Sequence, residues 1–198
     1  MKSDALRLDY RIIYDIIEPG SRVLDLGCGS GELLYVLASQ KNTRVQGIEL
    51  KDEAIYQCVK KGLSVFNSDI ETGLVEYPDQ SFDYVILNQS MQEVTQVDFI
   101  IHEALRVGGK VIVGFPNFAH ISARLRLIFQ GRAPMTKALP HHWYDTPNVR
   151  CFSLSDFKEF CKEKEVRILK ACYLGENDVV RFWPNLFALN AIFVLTRP

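Results

Sequence analysis

The chain is predicted to fold as a single α/β domain, a doubly wound and mostly parallel sheet of seven strands whose last strand is antiparallel. Two observations carry this. Short β-prone runs alternate with segments of helical periodicity, and parallel neighbours need crossover connections of that kind. The first run also ends in a glycine-rich turn that opens a helix, so strand, turn and helix follow in order.

Leu6, Tyr10, Ile13 and Ile17 recur at helical spacing and stop at Pro19-Gly20, which gives an amphipathic opening helix with its charges toward solvent. Arg22 to Leu26 is a strand, Gly27 to Gly31 a turn, and Glu32 to Ala38 a helix. The alternation continues with a strand at Val45 to Glu49, a helix at Glu53 to Lys60 and a strand at Leu63 to Phe66. Next come a buried strand at Phe82 to Leu87, a helix at Val97 to Leu105 and a strand at Lys110 to Gly114. Ile121, Leu125, Ile128 and Phe129 line one face of a helix that Gly131 ends, and a stretch without periodicity follows, carrying Pro134, Pro140 and Pro147. The segment 116–150 is the largest insertion, a cap on the one domain that spans 1–198. Ser153 to Asp156 has the spacing of a capping box, with Asp in place of the usual Glu, and opens a helix that turns Leu154, Phe157, Phe160 and Cys161 inward. Strands at Val166 to Leu174 and Leu186 to Thr196 close the chain, with Trp183-Pro184 a turn bearing a packed aromatic.

Composition narrows the function. With 198 residues, 47% of them hydrophobic, the chain can build a full core without disulfides or metal. Its 23 basic and 24 acidic residues balance to a net charge of -1, which argues against a broad nucleic-acid face. The first residues show no apolar signal core and no stretch is long enough to span a membrane, so a cytoplasmic domain is expected. Cys28, Cys58, Cys151, Cys161 and Cys172 are odd in number and scattered, in keeping with reduced thiols.

Alternate glycines after a strand let the backbone turn sharply and approach a ligand closely. The dinucleotide fingerprint would need a glycine at position 32, which is Glu32, and no Gly-Lys-Ser/Thr follows to make a P-loop. The turn is therefore built for something other than phosphate. Ligands in such sheets lie beyond the carboxyl ends of the strands, and those ends bring Asp25, Glu49 and Asp69 together. Glu49 suits two ribose hydroxyls, Asp69 with Ile70 frames an adenine edge, and Asn88-Gln89 faces the same crevice. A ligand with a ribose, an adenine, an ammonium and a second positive centre, and no phosphate, fits: S-adenosylmethionine.

Val23 to Gly31 resembles the first motif of the class I methyltransferase superfamily, a Rossmann-like fold, and Glu49 matches its ribose-binding acid. Ser68-Asp69-Ile70 is similar to its adenine-side motif and Phe82 to Ile86 to its fourth-strand motif. More narrowly, Asn88 to Val94, Gly114 to His120 and Leu139 to Asn148 resemble the MetW family of methionine biosynthesis. The resemblance implies S-adenosylmethionine or S-adenosylhomocysteine bound as follows. Gly27, Gly29 and Gly31, with Cys28 in the turn, admit the amino-acid part and Asp25 holds its ammonium. Glu49 beside Leu50 takes the ribose, Asp69 and Ile70 the adenine, and Asn88 and Gln89 border the sulfonium. It also implies a homoserine O-acyltransferase as partner, with methyl transfer to a small metabolite as the alternative.

No catalytic residue is identified. The Asn/Asp-Pro-Pro-aromatic signature of amino-group methylases is absent, since Asn88 precedes Gln89-Ser90, and no cysteine follows a proline as in cytosine methylases. His120, His141, His142 and Asp145 lack the spacing of a zinc site, so no metal is expected. The His141-His142-Trp143-Tyr144 run is either a lid or contact surface, or a plug at the base of the cap. Arg124, Arg126, Arg132 and Lys137 form the solvated side of the cap helix.

Overall fold

The computed structural model describes residues 6–198, so the expectation for Met1 to Ala5 lies outside the described residues. Seven strands, β1 (Arg22–Leu26), β2 (Arg44–Glu49), β3 (Ser64–Asn67), β4 (Phe82–Asn88), β5 (Gly108–Pro116), β6 (Arg167–Leu174) and β7 (Asn190–Thr196), form one sheet in the order β3-β2-β1-β4-β5-β7-β6. β7 runs antiparallel to β5 and β6, and the remaining pairs are parallel. The strand order reverses beside β1, whose neighbours are β2 and β4, and this is where a doubly wound sheet opens a crevice at its carboxyl edge.

Alternation along each strand sends side chains to two faces. On one face Val23, Tyr84, Ile86, Ile112 and Ile192 pack with Ile13 of α1 (Leu8–Ile16) and with Leu33 and Leu37 of α2 (Glu32–Lys41). On the other, Leu24, Leu26, Val85, Leu87 and Phe115 pack with residues of α5 (Val97–Val107) and α7 (Leu154–Glu163). The ring of Phe115 lies 4.5 Å from that of Phe152, 4.9 Å from Phe157 and 5.7 Å from Phe193, so one side chain joins β5, β7 and α7. α3 (Asp52–Lys60) and the one-turn α4 (Ile70–Gly73) complete the crossovers.

Local chemistry explains the element ends. Ser153 accepts from the Asp156 N–H while the Asp156 carboxylate accepts from the Ser153 N–H, the reciprocal cap expected at the start of α7. α6 (Ile121–Gln130) stops where Gly131 takes φ 59°. Its apolar face departs from expectation: Ala123 is its buried residue, while Leu125, Ile128 and Phe129 are exposed, Phe129 by 78%. Residues 131–153 contain no helix or strand to lie over that face.

The closing strand begins at Asn190 rather than Leu186, because Pro184 opens the short helix α8 (Pro184–Phe187) with its fixed φ. Trp183 is exposed and stacks on Phe182 at 5.1 Å, which corrects the reading of it as a packed aromatic. No helix among the described residues is long and apolar enough to cross a membrane.

Candidate functional site

At the tip of β1 the Gly27 and Cys28 N–H groups both donate to the Ile48 carbonyl of β2, at 2.8 and 3.1 Å, which swings the chain back over the sheet edge. Gly27, Gly29 and Gly31 have φ of 78°, 53° and 73°, a left-handed backbone that strains any side chain. Nothing lies within 4 Å of where a Gly29 Cβ would sit, so this peptide faces open space. A Cβ on Gly27 would come 3.0 Å from that of Ser90 and 3.3 Å from Ile70 Cδ1, so two other loops close on the turn there.

Two expected ligand-facing positions turn inward instead. A Cβ on Gly31 would meet Leu63 at 2.6 Å and Cys58 Sγ at 2.7 Å, so Gly31 lets α2 pack close to α3 and β3 rather than admitting a ligand. The Cys28 side chain is buried with Leu34, Cys58 and Leu63 behind the turn, and burial raises its thiol pKa well above the usual range. Alternate spacing revealed the turn but not which side of it each residue faces.

Glu49 ends β2 with a buried carboxylate that clamps the turn. One oxygen accepts from the Gly29 N–H at 2.9 Å, and the other from Leu50 and Lys51 N–H at 2.9 and 3.0 Å. A carboxylate offers about four lone-pair directions, so one is free, and two ribose hydroxyls require one backbone bond to give way. Leu50 beside it is exposed, an apolar surface that a ring could cover. Asp69 is the N-cap of α4, one oxygen accepting from the Glu71 N–H at 2.8 Å. That bond leaves its other oxygen open to solvent.

Asp25 is 4% exposed and accepts no hydrogen bond among the described residues. Burial first, and the charge of Glu49 second, push its pKa up to about 7. The folded protein therefore keeps a proton that the unfolded chain releases near pH 4, and stability falls as pH rises from about 4 through 7, by a few kcal/mol on the order of the shift. Asp25→Asn removes that dependence. Thermal unfolding should show the variant gaining on the parent at pH 8 while the two nearly coincide at pH 4, and a constant difference across that range would refute this account.

α1 roofs this carboxyl and supplies site residues that sequence reasoning missed. Tyr10 lies close enough to feel the charge of Asp25, and burial with that charge pushes its hydroxyl pKa up to about 12. Asp9 was expected in solvent with the other charges of the helix, yet it is 7% exposed. It is held by Arg7 at 2.7 Å and by the Asn88 amide at 2.9 Å, partners that offset its loss of water. The signal was present, since positions 9, 13 and 17 share one helical stripe with Ile13 and Ile17.

Asp25, Asn88 and Asn190 form a staggered polar row near the carboxyl edge of the parallel strands, Asp25 pairing with Ile86, Asn88 with Gly114 and Asn190 with Pro116. The Asn88 side chain lies over Gly114, where a Cβ would come 2.1 Å from its Oδ1. Gly114→Ala should evict Asn88 from its bond to Asp9 and lower stability by about 1–3 kcal/mol. Denaturant unfolding should recover most of that loss in the double variant with Asn88→Ala. Gln89, at φ 61°, donates to Asn190 Oδ1 at 3.3 Å, so Asn88 and Gln89 do meet at this edge. Asn88 Oδ1, Ser90 Oγ and Gln92 Oε1 are buried without partners among the described residues. Orphaned polar atoms clustered at one edge suit a polar ligand.

Beyond the row a cavity of about 770 Å³ opens between α1, the turn Met91–Glu93 and residues 137–148 of the cap. The cap is pinned there: Val149 and Arg150 N–H both donate to the Gln92 carbonyl at 3.0 Å. Trp143 and Tyr144 are 77% and 68% exposed and lie edge to face at 5.6 Å, so they do not plug the base of the cap. His142 stacks on Tyr144 at 5.2 Å. No group of three His, Cys, Asp or Glu residues among the described residues could hold a metal ion.

Comparison with known proteins agrees with this architecture. The family model for the methionine biosynthesis protein MetW matches residues 7–195. A bifunctional methionine biosynthesis protein MetXA/MetW from Rhodopirellula baltica is 36% identical over 205 residues, which cover 97% of this chain and 33% of that protein. The chain spans about a third of the length of the curated relatives it matches. Among solved structures, a SAM-dependent methyltransferase from Archaeoglobus fulgidus is similar with a TM-score of 0.73 at 15% identity, over 99% of this chain and 95% of that one. The [4+2]-cyclase SpnF is similar with a TM-score of 0.68 at 16% identity, over 96% of this chain and 80% of that one. One name refers to methyl transfer and the other to cyclisation, so this fold does not by itself select a reaction.

Proposed function

The chain belongs to the MetW family of methionine biosynthesis proteins, and from that membership we propose that it acts in the cytoplasm with a homoserine O-acyltransferase, as an accessory protein that binds S-adenosylmethionine or S-adenosylhomocysteine. The observation that carries this reading is the Rhodopirellula relative, in which a stretch similar to this whole chain is one third of a longer bifunctional protein. Two functions on one polypeptide favour contact between the same functions on separate chains.

The geometry of the cleft supports the following roles for its residues. Gly29 leaves room for the amino-acid part of the ligand and Gly27 lets the turn pass close to Ser90 and Ile70, while Gly31 and Cys28 shape the turn from behind. Asp25, buried and without a hydrogen-bond partner among the described residues, takes the ligand ammonium, which restores its charge. Glu49 exchanges a backbone donor for ribose hydroxyls, Leu50 and Ile70 flank the adenine, and the free oxygen of Asp69 meets the exocyclic amine. Asn88 and Gln89 border the sulfonium, with the Ser90 hydroxyl within reach of the turn.

Co-purification with the acyltransferase, and acyl-transfer rates measured with and without this chain and with S-adenosylmethionine added, test the reading. A complex with altered rates supports it; no complex and unchanged rates sink it. The cavity beside the row favours a second reading, methyl transfer to a small metabolite. Labelled product from methyl-tritiated S-adenosylmethionine and a metabolite extract would support that one, and cofactor binding without any product would count against it.

A further inference from the structure

Charged and amide side chains line the 770 Å³ cavity, and most of them are spoken for. Arg7 is paired with Asp9, and Lys137 with Glu176. The Gln89 amide is bonded to Asn190, and Gln92 Nε2 donates to the Gln89 carbonyl at 2.8 Å. Arg11, Glu93 and Gln92 Oε1 are among those that remain, beside His141, Asn148 and Asn177, whose side chains make no hydrogen bond or ion pair among the described residues. The Arg11 guanidinium, on α1, makes no side-chain hydrogen bond or ion pair among the described residues. Neither does the Glu93 carboxylate, at the rim on the turn after β4. Gln92 is 4% exposed and its Oε1 is buried without a donor among the described residues.

Each of the first three names what it lacks. A guanidinium fits a carboxylate, which it can hold through two parallel bonds. A carboxylate and a buried amide oxygen both lack N–H donors, and an ammonium supplies three. A buried acceptor left unmade costs about 1–3 kcal/mol, so Gln92 is held in a form that a donor would improve. The paired ions around these groups offset one another, so the Arg11 guanidinium and the Glu93 carboxylate are the oppositely charged groups left without a side-chain bond, with Lys51 and His141 near enough to Glu93 to favour its charged form.

We propose that this cavity binds a small zwitterion of the α-amino acid class, its carboxylate on Arg11 and its ammonium on Glu93. The site adjoins the cofactor cleft at Gln89 and stands whether or not that cleft binds S-adenosylmethionine. The volume exceeds that of a free amino acid, so the side chain or an acyl extension of the ligand reaches toward the cap, which is hung on the Gln92 carbonyl.

Isothermal titration of the full chain with each of the protein L-amino acids tests this, alone and with S-adenosylhomocysteine at saturation. At least one is expected to bind, with its N-acetyl and carboxamide derivatives at least tenfold weaker. Arg11→Gln and Glu93→Gln should each weaken it at least tenfold and leave S-adenosylhomocysteine affinity unchanged. Binding by no amino acid, binding that survives both substitutions, or simple competition with S-adenosylhomocysteine would overturn the proposal. Failure of S-adenosylhomocysteine to bind, with amino-acid binding intact, would remove the cofactor reading alone.

Discussion

Glu49→Ala is expected to weaken S-adenosylhomocysteine binding by ~100-fold or more, because two hydrogen bonds to a charged group are worth about 1.5–3 kcal/mol each. The carboxylate acts twice, as the acceptor for the ribose and as the clamp that fixes the Gly29, Leu50 and Lys51 N–H groups. Loss of the clamp alone would loosen the turn, so Glu49→Gln separates the two roles. Its amide oxygen can still accept from the turn, yet it lacks the charge and the second oxygen. Calorimetric titration should therefore place Glu49→Gln between the parent and the alanine variant, with thermal stability close to the parent. Parental affinity in Glu49→Ala would mean that no ribose lies at this strand tip.

The second large effect is on stability. Phe115→Ala should lower the unfolding free energy by about 3–5 kcal/mol, measured by denaturant titration with an unchanged slope. Phe115 is fully buried and its ring contacts those of Phe152, Phe157 and Phe193. Truncation leaves a void that three rings, on α7, β7 and the loop before α7, cannot fill together. Phe115→Leu keeps most of the volume and should cost clearly less. An alanine variant within 1 kcal/mol of the parent would show that these elements repack freely.

What the sequence discloses here is local, and what it conceals is distant. The left-handed turn at Gly27 to Gly31, the stop at Gly131 and the capping box at Ser153 each depend on residues a few positions apart, and each stands where the pattern puts it. The acids at the strand tips were also legible, since a strand–turn–helix repeat fixes which ends converge. The burial of Asp9 was legible in its helical stripe with Ile13, but its partner Asn88, 79 positions away, was not. The inward turn of Cys28 depends likewise on Cys58 and Leu63, and the short helix at Pro184 on a proline read as part of a turn. In α6 periodicity marked an apolar face correctly as apolar, but it carries no information on whether anything covers it.

The polar row of Asp25, Asn88 and Asn190, with Ser90 and Gln92 behind it, occupies ground that leucine or valine would fill to thermodynamic advantage. Enzymes and sensors are commonly less robust at their working edge than their cores would permit. Here that edge can be located residue by residue. Selection of a random library for heat resistance alone should collect apolar replacements along this row first, turning a working crevice into inert interior, and the positions that harden soonest would map the site without any ligand in hand.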